Sequence, residues 1–293
     1  MYRLTLAILF LVAVTGSFAH ESCVRRIADP LSHTNVKSPV PSEYLSVGDL
    51  PTSWDWRNVS GRSYVTITRN QHLPQYCGAC WSFATTSALS DRIKMVQEFP
   101  EVNLAPQVLL NCLSGSSCDG GDPTSAYEYI FAKGIPDETC APYEAIDLEC
   151  TPENICKNCA FDLDNPEAKC VAQPTYNTYF VEEHGLVNGS DAMMAEIYAR
   201  GPIACGMEVT SAFEAYTGGI FSDSTGATGQ INHEISVIGW GSENGVDYWT
   251  VRNSWGTYFG ELGFFRIQRG LNLLSIESDC DWAVPKGYPY SRN

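Results

Sequence analysis

Basic residues are scarce. The 293-residue chain carries 18 Lys and Arg against 34 Asp and Glu, a formal net charge of −16. Nucleic acid is excluded as a partner, because binding a phosphate backbone demands basic patches. The same balance argues against an anionic membrane surface. Long apolar runs are lacking beyond the first residues: none reaches about 18, so no transmembrane helix is expected. Internal repeats and low-complexity tracts are absent too. With 44% of residues hydrophobic and 18% charged, the chain has a globular composition rather than a disordered one. Histidine is rare: five in all, two of which, His20 and His33, precede the globular region.

The first residues read as an address. Arg3 gives a positive start, Leu4 to Val14 an apolar run, and Ser17-Phe18-Ala19 a small-x-small site, so cleavage is expected after Ala19. Residues 20–49, polar and holding Pro30, Pro39 and Pro41, read as a short propeptide. The composition becomes globular from Leu50, and residues 50–293 are expected to form the working domain.

Entry into the secretory route makes the twelve cysteines readable as disulfide partners. Two Cys-x-x-Cys pairs, Cys77/Cys80 and Cys156/Cys159, also fit a zinc site, but the leader favours bridges. No metal and no cofactor is expected. Asn58-Val59-Ser60 and Asn188-Gly189-Ser190 are glycosylation sequons.

The chemistry starts at Gln71-His72-Leu73-Pro74-Gln75-Tyr76-Cys77-Gly78-Ala79-Cys80-Trp81. Trp81, Ala84, Ala88, Leu89 and Ile93 recur at helical spacing, which predicts a helix from Cys80 to about Val96. A cysteine at a helix N-terminus is favoured as thiolate, because the free N–H groups and the macrodipole stabilise an anion. The expected base is His233, on an apolar strand with a glycine-rich exit, Gly239-Trp240-Gly241. Twenty residues later comes Asn253, in Arg252-Asn253-Ser254-Trp255-Gly256. Its amide oxygen can accept the imidazole N–H and fix the tautomer, under the cover of Trp255.

Cys-Gly-Ala-Cys-Trp, with His233 and Asn253 in that order, resembles the papain family of cysteine peptidases. The resemblance runs through Trp54-Asp55-Trp56-Arg57-Asn58, Gly134-Ile135-Pro136-Asp137-Glu138-Thr139-Cys140 and Tyr216-Thr217-Gly218-Gly219-Ile220. It implies an α+β fold of two lobes, a helical one over about 65–160 and a β-barrel-like one over about 165–270, with crossing termini and the active site in the cleft between. It implies a monomeric hydrolase of peptide or protein substrates, in the lysosome or outside the cell. Cys80 would be nucleophile, Gln71 would hold the oxyanion, and Gly120 and Gly121 would pair with extended substrate. Gln71 stands nine residues before Cys80, a longer spacing than papain-like chains usually show. The inserted His72-Leu73-Pro74 points to a carboxypeptidase in which His72 and Tyr76 bind the substrate's terminal carboxylate. No Arg-Gly-Asp tripeptide occurs, so no integrin partner is implied.

The pairing the resemblance implies is Cys77–Cys118, Cys112–Cys150, Cys140–Cys156, Cys159–Cys170 and Cys205–Cys280, with Cys156–Cys159 also conceivable. That leaves Cys80 for Cys23. A propeptide of about thirty residues is too short to bury a core of its own, and the expectation is that it caps the nucleophile covalently. Alternatives are an endopeptidase of the same family, a thiol oxidoreductase working through Cys77 and Cys80, and an inactive binding protein.

Overall fold

The computed structural model describes residues 22–96, 101–160 and 169–287; the leader expected at 1–19 lies outside them. Its elements, in chain order, are β1 (Trp54–Asp55), α1 (Cys80–Val96), α2 (Pro106–Cys112), α3 (Pro123–Lys133), α4 (Pro152–Ile155), β2 (Lys157–Ala160), β3 (Lys169–Ala172), β4 (Val181–Val187), α5 (Ser190–Arg200), β5 (Ile203–Met207), α6 (Ser211–Glu214), β6 (Ile220–Phe221), β7 (His233–Glu243), β8 (Val246–Arg252), β9 (Phe264–Gln268) and β10 (Cys280–Pro285).

Helix α1 begins at Cys80 and is buried on nearly every side. That burial forces its polar residues to bond locally. Thr85 donates to the Trp81 carbonyl and Thr86 to that of Ser82, both at 2.7 Å, and Ser82 donates to the Pro106 carbonyl at 2.9 Å. Arg92 lies fully within the fold. It donates to the carbonyls of Pro202, Ala283 and Gly201 and pairs with Glu196, so α1 is fixed to the chain around β5 and β10.

The main sheet runs β4-β10-β5-β7-β8-β9-β6, with β1 paired to β7. It does not close: β4 stands at one end and β6, parallel to β9, at the other. The expected barrel-like lobe is therefore an open, mainly antiparallel sheet. Buried apolar residues form two clusters. One joins α1, α2 and α3 through Phe83, Leu89, Leu109 and Ile130; the other joins the sheet to α5 through Met193, Ile197, Val237, Trp249 and Phe265.

Six disulfides tie the described residues, in the pairing the resemblance implies. Cys205–Cys280 joins β5 to β10 across 75 residues, worth about 4 kcal/mol in the chain-entropy model. Cys77–Cys118 anchors the turn before α1. Among residues 22–49 the helical turns are short 3-10 pieces at Pro30–His33, Pro41–Glu43 and Val47–Asp49.

Candidate active site

Cys80 heads α1, and His233 opens β7. Both are fully buried. Cys80 is bonded to Cys23, and the two sulfurs lie within 4.8 Å of each other and of a His233 ring nitrogen. Cys23 Sγ is 3.5 Å from His233 Nδ1. On the far side of the ring, Nε2 meets Asn253 Oδ1 at 2.8 Å. That oxygen also accepts the Ser254 backbone N–H at 2.8 Å. An atom accepting a backbone N–H is an acceptor toward the ring as well, so Nε2 carries its proton and Nδ1 presents a lone pair to the sulfurs. Trp255 lies 4.9 Å from the ring, centroid to centroid, and shields this bond from water.

Gln71 is brought here by pairing across the chain. Asn70 bridges Trp255, and the Gln71 N–H donates to the Ser254 carbonyl at 2.8 Å. Its side chain is held at both ends: Nε2 donates to the Cys77 carbonyl at 3.1 Å, and Oε1 accepts the Ser254 hydroxyl at 2.6 Å. Tyr143 donates to its backbone carbonyl at 2.7 Å.

The inserted loop stands on the same floor. His72 stacks on Tyr76 with centroids 4.9 Å apart and lies 6.3 Å from Trp255. Burial holds the His72 imidazole below its ordinary pKa, and its Nε2 is buried with no hydrogen-bond partner among the described residues. The Tyr76 ring is exposed.

Beyond Cys80, residues 23–25 lie along the glycine strip. Arg25 N–H donates to the Gly121 carbonyl at 2.8 Å, Gly121 N–H donates to the Cys23 carbonyl at 3.3 Å, and Cys23 N–H donates to the Asn232 carbonyl at 3.0 Å. A Cβ on Gly121 would sit 2.5 Å from the Trp81 ring, and one on Gly120 would sit 3.1 Å from the Cys23 backbone. Glycine at 121 leaves room for the Trp81 ring, and glycine at 120 lets the Cys23 backbone approach.

A family model described as papain family cysteine protease matches residues 50–284. The chain belongs to that family. It is 43% identical over 276 residues to cathepsin Z of Onchocerca volvulus, covering 90% of this chain and 88% of the relative. It is 34% identical to cathepsin B-like cysteine proteinase 6 of Caenorhabditis elegans, covering 81% of this chain and 67% of the relative. Among solved structures, bromelain of Ananas comosus in complex with the E64 inhibitor aligns with a TM-score of 0.64 at 28% identity, over 80% of this chain and 99% of bromelain. The procathepsin L2 proteinase of Tenebrio molitor larval midgut shares the fold, with a TM-score of 0.75 at 24% identity over 90% of this chain and 78% of its own.

In this papain-family peptidase the two cysteines of Cys77-Gly78-Ala79-Cys80 take different partners, so the motif forms no dithiol pair of its own. Sequence reasoning missed Ser254 and Tyr143, the two residues that lock Gln71. It also passed over Glu234, although a carboxylate beside His233 in an otherwise apolar strand was a visible signal.

Proposed function

We propose that the chain is a cysteine carboxypeptidase held latent by its own residues 20–49, with residues 50–293 as the peptidase. The observation that carries the reading is the placement of the inserted loop: His72 stands between Tyr76 and the Trp255 that covers His233. Once Cys23 leaves, Cys80 is a thiol at a helix N-terminus with His233 Nδ1 as its base. The thiolate attacks the carbonyl carbon of the last peptide bond. The oxyanion is held by the second Gln71 amide hydrogen and by the Cys80 N–H, which in the first helical turn has no intrahelical acceptor. His233, now imidazolium and steadied by Asn253, protonates the departing amine. Water activated by neutral His233 then cleaves the thioester. The remaining peptide pairs with Gly120 and Gly121, and the leaving residue's carboxylate is bound by the His72 imidazolium and the Tyr76 hydroxyl.

The disulfide from Cys23 to Cys80 removes the nucleophile itself, so latency needs no packed inhibitory domain. A good thiolate is a good leaving group in exchange, which suits the bond to reductive release. Six disulfides and the exposed sequon residues Asn58 and Asn188 support passage through the secretory pathway; the reading places the enzyme in the lysosome or outside the cell, as a monomer.

The test is a peptide with a free C-terminus against the same peptide amidated, given to the reduced, processed enzyme. One residue is released from the acid, and the amide is cut at least about tenfold more slowly. Equal cleavage removes the carboxylate clamp. A thiol-directed probe labels the enzyme and not its Cys80→Ala variant; labelling of both sinks the nucleophile assignment.

A further inference from the structure

The side chain of Arg26 enters a nest of four carboxylates beside the site. Its guanidinium lies 2.6 Å from Glu234 Oε1, 2.5 Å from Asp279 Oδ2 and 3.4 Å from Asp122 Oδ2. Asp281 completes the set, its Oδ1 taking the Thr124 hydroxyl at 2.5 Å. The carboxylates of Glu234, Asp281 and Asp122 are almost wholly buried, at 0%, 1% and 2%. With Arg26 in place, Glu234 Oε2 and Asp281 Oδ2 still have no hydrogen-bond partner among the described residues. The space for the guanidinium is built in. A Cβ on Gly206 would fall 2.6 Å from Arg26 Nη2 and 2.7 Å from the Ile231 side chain, so glycine leaves the room that the cation fills.

The position of this nest ties it to catalysis. Glu234 follows His233 directly, and Asp122 follows Gly121, the residue on which Cys23 and Arg25 pair. When residues 22–49 depart, the carboxylates remain and their cation is gone. Carboxylates this deeply buried are poorly tolerated without a partner, and a cation placed where the Arg26 guanidinium lies supplies one. We propose that Glu234, Asp122, Asp279 and Asp281 form a substrate pocket for an arginine side chain, on the acyl side of the scissile bond along the Gly120–Gly121 strip. The inference rests on the peptidase reading of the same cleft. Arginine suits the pocket better than lysine, because a planar fork meets several carboxylates at once where an ammonium meets them as a point charge. Citrulline, of the same shape but neutral, leaves the carboxylates uncompensated.

The test uses enzyme made from the full chain and freed of residues 22–49, with its reactive thiol counted by alkylation. Peptides carry arginine, lysine or citrulline at the first, second or third residue before the scissile bond. The expected result is a kcat/KM for arginine about tenfold or more above that for citrulline at one of these positions, with lysine between. The ratio falls toward one in Glu234→Gln, through charge, and in Gly206→Ala, through lost space. A ratio near one at every position in the wild-type enzyme, with citrulline peptides still turned over, overturns the pocket and leaves the peptidase reading standing. So does an arginine preference that both variants keep. No turnover of any peptide by enzyme with a full complement of alkylatable Cys80 overturns the peptidase reading, and this inference with it.

Discussion

The Ser254 hydroxyl donates to Gln71 Oε1 at 2.6 Å, and both residues are buried. This bond decides which way the amide faces: the oxygen is taken up by Ser254, and the nitrogen is turned toward Cys77 and the start of α1. Ser254→Ala leaves a buried acceptor unpaired, at a cost of about 1–3 kcal/mol, and lets the amide rotate. The expected kinetic result is a fall in kcat of about three- to tenfold with KM nearly unchanged, because an oxyanion donor acts in the transition state. A change in KM alone would show that Gln71 serves binding instead.

Asp91 and Arg252 form an ion pair at 2.7 Å with both side chains almost fully buried, 0% and 2% exposed. Asp91 also accepts the Thr66 N–H and hydroxyl, each at 2.7 Å. The pair joins α1 to the strand whose end delivers Asn253. Asp91→Ala strands a buried guanidinium and is expected to destabilise by about 3–5 kcal/mol. Replacing both by apolar residues of similar volume costs less than the single change. Urea midpoints of Asp91→Ala, of the matching single change at Arg252 and of the double replacement decide it; additive losses would refute the coupling.

The contrast between these two pairs and the motif residues shows what the sequence carried. Cys80, His233 and Asn253 stand in contiguous, chemically dense motifs, and α1 begins at Cys80 where its helical apolar spacing starts. The cysteine pairing was legible only through resemblance, since Cys156 lies three residues from Cys159. The structure separates them because Cys159 faces Cys170 across the β2–β3 hairpin, while Lys157 bonds back to the Cys140 carbonyl at 3.1 Å. Arg26 was not legible at all. It sits in a polar segment without sustained periodicity, and its partner Glu234 is 208 residues away. Contacts of that kind are set by the packed fold and leave no local pattern.

His72 offers a pH signature. Burial keeps its imidazole neutral near pH 7 and lets it charge only in acid, whereas a peptide's terminal carboxylate stays ionised down to about pH 3.5. The preference for a free over an amidated C-terminus is therefore expected to grow as pH falls from 7 to 4.5. His72→Ala flattens that slope, and Tyr76→Phe lowers the preference without changing its pH dependence. A preference that weakens in acid would exclude His72⁺ as the clamp.

On the proposed reading, latency follows from one bond. In Cys23→Ser the Cys80 sulfur has no partner to form a disulfide with, since the other ten cysteines are paired among themselves. The full-length variant is expected to react with a thiol-directed probe without reductant, while the wild-type proform reacts only after reduction. Peptide mapping under non-reducing conditions gives the same answer from the other side. Labelling of neither protein before reduction would show that the segment's remaining contacts suffice to block Cys80, and labelling of both would show that Cys80 is free in the wild-type proform.

The nest around Arg26 titrates against the segment that fills it. Burial raises Glu234, Asp281 and Asp279 even against the lowering pull of Arg26, and with Arg26 in place Asp281 stands at about 7. Without Arg26 they sit higher still, so the emptied pocket binds more protons than the filled one. Linkage then fixes the sign: the hold on the segment weakens as pH falls through that range. Tyr127 faces Asp281 and Glu234, but burial pushes its phenol further up and it stays neutral throughout. A synthetic peptide of residues 22–49 with Cys23→Ser is expected to bind the mature enzyme more weakly at pH 4.5 than at pH 7.5. The loss amounts to about tenfold for each full unit by which Arg26 depresses a carboxylate. The same peptide with citrulline at position 26 separates this effect from the titration of Cys80 and His233, because it keeps the shape of the side chain and removes its charge. A citrulline peptide with the same pH slope as the arginine peptide would place the titration elsewhere, and a slope of opposite sign would refute the linkage outright.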